Sequence, residues 1–119
     1  MVTIFRLAFI STILMFSSCE LKPEKIEGRY HSKDLGSNYV LTLSKGHFTQ
    51  TLINNGDTFI NGGEYKLSNV IVLYSWKERN EIMDANIGGC NGCELKYENG
   101  KLLFYTDPDG SPKETFVKQ

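Results

Sequence analysis

Histidine, cysteine and net charge are all scarce in this chain. The two histidines, His31 and His47, lie sixteen positions apart and far upstream of the paired cysteines. A zinc site on those cysteines would need two further ligands at knuckle spacing, and the sequence does not supply them. Basic and acidic side chains number 13 and 14, a net charge of −1, so the basic face that nucleic acid requires is missing and no nucleic-acid partner is expected. No Gly-x-Ser-x-Gly, His-Glu-x-x-His or phosphate-cradling glycine loop occurs, and Gly62-Gly63 and Gly88-Gly89 are doublets only. Without these motifs the reading is of a non-enzyme that carries no cofactor and no metal. At 119 residues the chain is one domain rather than a multidomain enzyme. With 40% hydrophobic and 23% charged residues it is globular rather than disordered.

A long apolar run lies at the start. Residues 1–18, MVTIFRLAFISTILMFSS, hold a single charged side chain, Arg6, followed by an apolar stretch over residues 7–16. Ten residues are about half of what a membrane-crossing helix needs. The charged start and short apolar run fit a signal peptide. Without this segment 101 residues remain, carrying 12 basic and 14 acidic groups.

The run ends in Phe16-Ser17-Ser18-Cys19. Two small residues before a cysteine resemble the lipobox of bacterial lipoproteins, with Phe16 standing where the family pattern has an aliphatic residue. The resemblance implies cleavage before Cys19, diacylglycerol on its sulfur, and often a third acyl chain on the new amino group. At about 0.8 kcal/mol per buried CH₂, two or three chains anchor where one does not. It further implies a palmitate-type lipid, a membrane as partner through Cys19, and the bacterial cell envelope as location, with the outer membrane favoured.

If Cys19 is acylated, Cys90 and Cys93 remain, in Gly88-Gly89-Cys90-Asn91-Gly92-Cys93. An even remainder suits a disulfide in an oxidising compartment. Closing so short a loop is worth about 2 kcal/mol in the chain-entropy picture, so the bridge pins a turn and does not hold the fold. Three alternatives compete: a reduced pair, a redox-active pair and a metal site. A redox C-x-x-C usually sits at a helix N-terminus, whereas Glu94-Leu95-Lys96-Tyr97 alternates like a strand. The stretch from Asp84 to Cys93 reads either as a rigid strand connection or as a disulfide-pinned recognition loop.

From Gly28 onward, turn signals recur every eight to twelve residues, as in an all-β barrel or sandwich. Tyr39, Leu41 and Leu43 share one face, as do Phe48 and Leu52 with Gln50 between them. Lys45-Gly46, Asn54-Asn55-Gly56-Asp57 and Asn99-Gly100 are hairpin turns. Gly62-Gly63 predicts a bulge or bend. The run Val70-Ile71-Val72-Leu73-Tyr74-Ser75-Trp76 predicts a strand covered on both faces. Residues 77–81 read as a solvated loop or one helical turn, and 82–87 as a short strand. Asp107-Pro108-Asp109-Gly110 is a turn whose carboxylates, with Asp57, Asn61 or Asp84, could form a calcium site only if the later ligands of a calcium loop were present. The expectation is an antiparallel up-and-down β-barrel or sandwich of about eight strands over residues 27–118. It is preceded by a signal helix (1–18) and by the lipidated cysteine with a polar tether (19–26), with no helix after Cys19.

Gly28-Arg29-Tyr30, echoed by Gly63-Glu64-Tyr65, is similar to the opening strand of small lipocalin-like lipoproteins, with tyrosine where their motif has tryptophan. That resemblance implies a β-barrel that binds a small apolar ligand or an envelope protein without catalysis. The competing function is an envelope thiol-disulfide protein using Cys90 and Cys93. A structural or inhibitory protein acting through a strand edge is a further possibility.

Overall fold

The computed structural model describes residues 20–107 and 109–119; the expected signal segment and Cys19 lie outside them. Eight antiparallel strands follow one another around a closed barrel in sequence order. They are β1 (Gly28–Ser32), β2 (Gly36–Ser44), β3 (His47–Asn54), β4 (Asp57–Leu67), β5 (Ile71–Trp76), β6 (Cys90–Glu98), β7 (Lys101–Phe104) and β8 (Glu114–Lys118). β8 returns to β1 through Tyr30↔Lys118 and Ser32↔Phe116. Closure in this way gives every strand a neighbour on both sides, so no whole strand is left as an outer edge that would invite aggregation.

Local chemistry sets the register. Three hairpins turn on paired left-handed residues: Lys45-Gly46 (φ 50°, 80°), Asn55-Gly56 (52°, 83°) and Asn99-Gly100 (50°, 78°). This is the type I′ geometry, whose twist matches the flanking strands. The alternation then places Tyr30 opposite Leu41, Leu41 opposite Gln50 and Gln50 opposite Asn61, all on the inner face. An eight-stranded barrel is just wide enough for side chains to fill. Here Tyr30, Leu41, Leu43, Phe48, Leu73, Leu95, Leu102 and Phe116 do so, together with Tyr39 and Trp76, all at 3% exposure or less. The core is therefore solid through the barrel's middle.

Four sequence expectations need correction. Val70 to Trp76 is not covered on both faces. In β5 Ile71, Leu73 and Trp76 are buried while Val72 and Tyr74 are half-exposed and Ser75 is exposed, because barrel strands present one face to water. Gly62-Gly63 inserts no bulge: β4 pairs across from β3 in continuous register. Gly63 makes room, since a Cβ there would collide with the Tyr74 carbonyl oxygen on β5 and come within 2.7 Å of the Phe48 ring. Residues 82–87 form turns and not a strand, held by backbone bonds from Asp84 to Glu81 and from Ile87 to Asp84. Finally, a helix does follow Cys19.

That helix, α1 (Pro23–Ile26), begins on a proline at its first turn, where the missing N–H costs nothing. It is not part of a free tether. Ile26 is fully buried and its carbonyl accepts a 2.6 Å bond from the Tyr30 hydroxyl. The Leu21 amide donates to Ser68 O at 2.9 Å. α1 thus plugs the end of the barrel that carries the tight turns at 45–46, 68–70 and 99–100. The tyrosines of both Gly-x-Tyr motifs, Tyr30 and Tyr65, are buried, and burial raises the pKa of each above the ordinary tyrosine value.

Candidate functional site

The opposite end carries the long connections, residues 77–89 and 105–113, and the short turns 33–35 and 55–56. A polar network on the inner face of β2, β3 and β4 positions them. Gln50 is fully buried between Phe48 and Leu52. Its amide donates to the Tyr39 hydroxyl (2.9 Å) and to Lys77 O (2.7 Å), and its carbonyl accepts from the Lys77 amide (3.3 Å). Asn61 donates to Gln50 Oε1 (2.8 Å) and to Ser75 O (2.9 Å), and Asn91 Oδ1 accepts from the Ser75 amide (2.9 Å). Ser75 has a left-handed φ of 68° inside a strand, a conformation costing on the order of 1–3 kcal/mol that persists only when its surroundings fix it. Here the two asparagines take up both of its backbone groups, and Gly89 passes too close to the Ser75 backbone to carry a side chain.

This bulge turns Trp76 inward. Its ring is 2% exposed and packs against Phe48, Phe104 and Phe116 at centroid distances of 5.4, 5.7 and 6.1 Å. Its indole N–H is buried without a partner among the described residues. Trp76 and Phe104 form the common floor of two clefts. The first, about 230 Å³, is walled by Tyr39, Arg79, Lys113 and Glu114. The second, about 450 Å³, is walled by Glu81, Gly88-Gly89, Cys90, Cys93, Glu94, Tyr105 and Thr106. Glu78 borders both clefts and forms an ion pair with Lys113, so this pair stands between them. A third cleft of about 340 Å³ includes Leu35, Ile53 and Met83.

Residues 77–81, expected to be solvated or one helical turn, contain a 3₁₀ turn at Arg79–Glu81, closed by a capping box between Glu78 and Glu81. They are not merely solvated. Arg79 donates to Glu114 through Nε (3.0 Å) and Nη2 (2.6 Å) and reaches Asp34 at 3.5 Å. Glu114 is only 7% exposed and also accepts from Ser32 Oγ at 3.3 Å. The hydrogen bonds that Arg79 donates to Glu114 raise its pKa above the ordinary value, against the opposing effect of burial. Tyr39 is raised chiefly by burial, partly offset by the Gln50 hydrogen bond.

Cys90 and Cys93 are joined in a disulfide with Cα atoms 5.9 Å apart. The bridge does not sit in a projecting loop. It lies within β6, where the register to β5 shifts between Leu73 and Tyr74 and again before Trp76. His31 and His47 lie on β1 and β3, with β2 between them, and are not brought together. His47 is exposed, 4.0 Å from Glu64. Asp107 and Asp84 cap turns, accepting from the Asp109 and Asn86 amides. Among the described residues no cluster of three metal-ligating side chains occurs, and no helix is long and apolar enough to cross a membrane. Cys19, the expected lipidation site, is outside the described residues.

Sequence reasoning missed the Arg79–Glu114 pair. A signal was present, since Glu114 shares parity with Phe116 and hence the inner face of β8. Comparison with protein-family models, curated proteins and solved structures finds no match to this chain.

Proposed function

We propose that this protein is a membrane-anchored, non-enzymatic bacterial envelope lipoprotein whose barrel presents a recognition surface at its open end. The observation that carries the reading is the barrel's polarity. The chain enters beside α1, at the plugged end, so a lipid on Cys19 would hold that end toward the membrane. The clefts then face away from it. The filled interior supports binding at the mouth in place of a deep lipocalin-type cup. Ile53, Met83 and Ile87, exposed by 41%, 40% and 36%, add apolar surface to that end, of the kind that favours a small apolar ligand or a protein partner.

The charged groups facing the clefts are largely engaged with one another, Glu114 with Arg79 and Glu78 with Lys113, which supports binding over turnover. The thiol-disulfide reading draws on the exposure of Cys90 at the second cleft. It lacks the helix N-terminus that lowers a thiol's pKa, and we read the bridge as structural. Photo-crosslinking residues placed singly at Met83 and at Lys101 in intact cells test the proposal. Adducts to an envelope component from position 83 and none from position 101 are expected. Equal labelling from both would overturn it.

A further inference from the structure

We infer that the barrel is split at its open end between β6 and β7, and that this split accepts an extended peptide bearing a cationic side chain as an added strand. The inference rests on the open end being a recognition surface and is independent of the lipid anchor. β6 pairs with β5 from Cys90 to Leu95 but with β7 only from Leu95 to Glu98. β7 ends at Phe104, and beyond it the chain leaves as Tyr105 and Thr106. On the β7 side, residues 90–94 therefore have no strand partner among the described residues, and all but Cys93 are exposed. Whatever backbone N–H and C=O groups residues 90–94 turn toward the gap meet no strand there among the described residues, and unpaired groups on a strand edge are what strand addition uses.

The second cleft occupies this gap. Its volume of about 450 Å³ lies within the range of ordinary binding clefts. Its lining selects the occupant. Trp76 and Phe104 provide an aromatic floor for an apolar side chain, and the walls hold the carboxylates of Glu78, Glu81 and Glu94 with no cationic side chain among the described lining residues. Lys113 neutralises Glu78, and Glu81 is held by the Glu78 amide at 3.1 Å. Glu94, exposed on the edge itself, is in no ion pair among the described residues and faces an incoming strand. A carboxylate there favours a lysine or arginine partner across the pair and disfavours an acidic one. The left-handed Gly92 (φ 88°) and the Cys90–Cys93 bridge keep the edge short. This suits one brief segment and opposes open-ended stacking.

The test uses ¹⁵N-labelled full-length protein in detergent micelles, titrated with an end-blocked hexapeptide of alternating lysine and valine. Saturable shifts and hydrogen-exchange protection at the amides of residues 90–94 are expected, with affinity at least tenfold weaker for Glu94→Lys. The peptide with N-methylated valines, which cannot complete the ladder, is expected to bind at least tenfold more weakly, as is the glutamate-valine peptide. Equal binding by the N-methylated peptide would show charge capture alone and overturn strand addition. Shifts confined to Asn80 and Lys113 would overturn it too, while leaving the open end as a recognition surface. No shift at any mouth amide would also overturn it, and crosslinking from position 83 would then decide the broader reading separately.

Discussion

Replacing Arg79 by alanine tests how the mouth is held together. The guanidinium makes two short bonds to Glu114, at 3.0 and 2.6 Å, and ties the 77–89 connection to β8. Breaking a fully buried pair by removing one partner costs about 3–5 kcal/mol, mostly from the charge left behind. The Glu114 side chain is 8% exposed but that of Arg79 is 36% exposed. Solvent screens the arginine side and lets water reach the abandoned carboxylate, so the loss is discounted to about 2–3 kcal/mol. For a domain of this size that corresponds to a fall in Tm of roughly 10 °C. Urea unfolding followed by Trp76 fluorescence reads it, since Trp76 lies in the aromatic cluster beneath the pair. Glu114→Gln, which keeps the shape and one of the two acceptor oxygens, is expected to cost less. The double variant Arg79→Met, Glu114→Leu is expected to recover most of the loss, because no buried charge remains. A loss below about 0.5 kcal/mol for Arg79→Ala would place the pair among exposed ion pairs and refute this account of the mouth.

Three further outcomes follow from the same structure. Tyr30, Tyr39 and Tyr65 all have raised pKa values. The unfolded chain loses those protons near pH 10 while the folded chain keeps them. Stability is therefore full below about pH 10 and falls as pH rises beyond it; ¹³Cζ shifts of labelled tyrosine are expected to show Tyr30 and Tyr39 still protonated at about pH 10.5 and Tyr65 titrating later than an exposed tyrosine, and early titration of Tyr30 and Tyr39 would refute the burial argument. Cys90→Ser with Cys93→Ser is expected to cost about 2 kcal/mol by urea titration, with the β6–β7 hairpin amides unmoved; loss of the whole fold would contradict a merely local role. Gly63→Ala must push against both the Tyr74 carbonyl oxygen of β5 and the Phe48 ring and is expected to cost at least about 1–3 kcal/mol, whereas no measurable loss would mean that the packing of β4 against β5 and Phe48 is loose.

The strand pattern was legible because each hairpin carries its own chemistry. Asn99-Gly100 and Asn55-Gly56 declare their turns, and the alternation of Tyr39, Leu41 and Leu43 declares an inner face. Even Gln50 was placed correctly between Phe48 and Leu52. What the sequence concealed depends on closure. Whether Val70 to Trp76 is covered once or twice turns on whether the sheet closes into a barrel or packs on a second sheet, and an apolar run looks the same in either case. Ile26 lies in a polar stretch and gains its burial only because the barrel leaves an end for α1 to fill. The mouth was least legible. Arg79 and Glu114 are thirty-five residues apart, and the gap beside residues 90–94 exists only because β7 stops at Phe104 while β6 starts at Cys90.

The central claim is an anchored barrel with its clefts turned from the membrane, and the intact mass of the protein purified from membranes tests it most directly. Measured with and without reduction and alkylation, it is predicted to equal residues 19–119 plus two or three acyl chains, with alkylation of Cys90 and Cys93 only after reduction. An unacylated chain that retains residues 1–18, or one whose Cys19 alkylates freely, would contradict the anchor and with it the orientation assigned to the mouth.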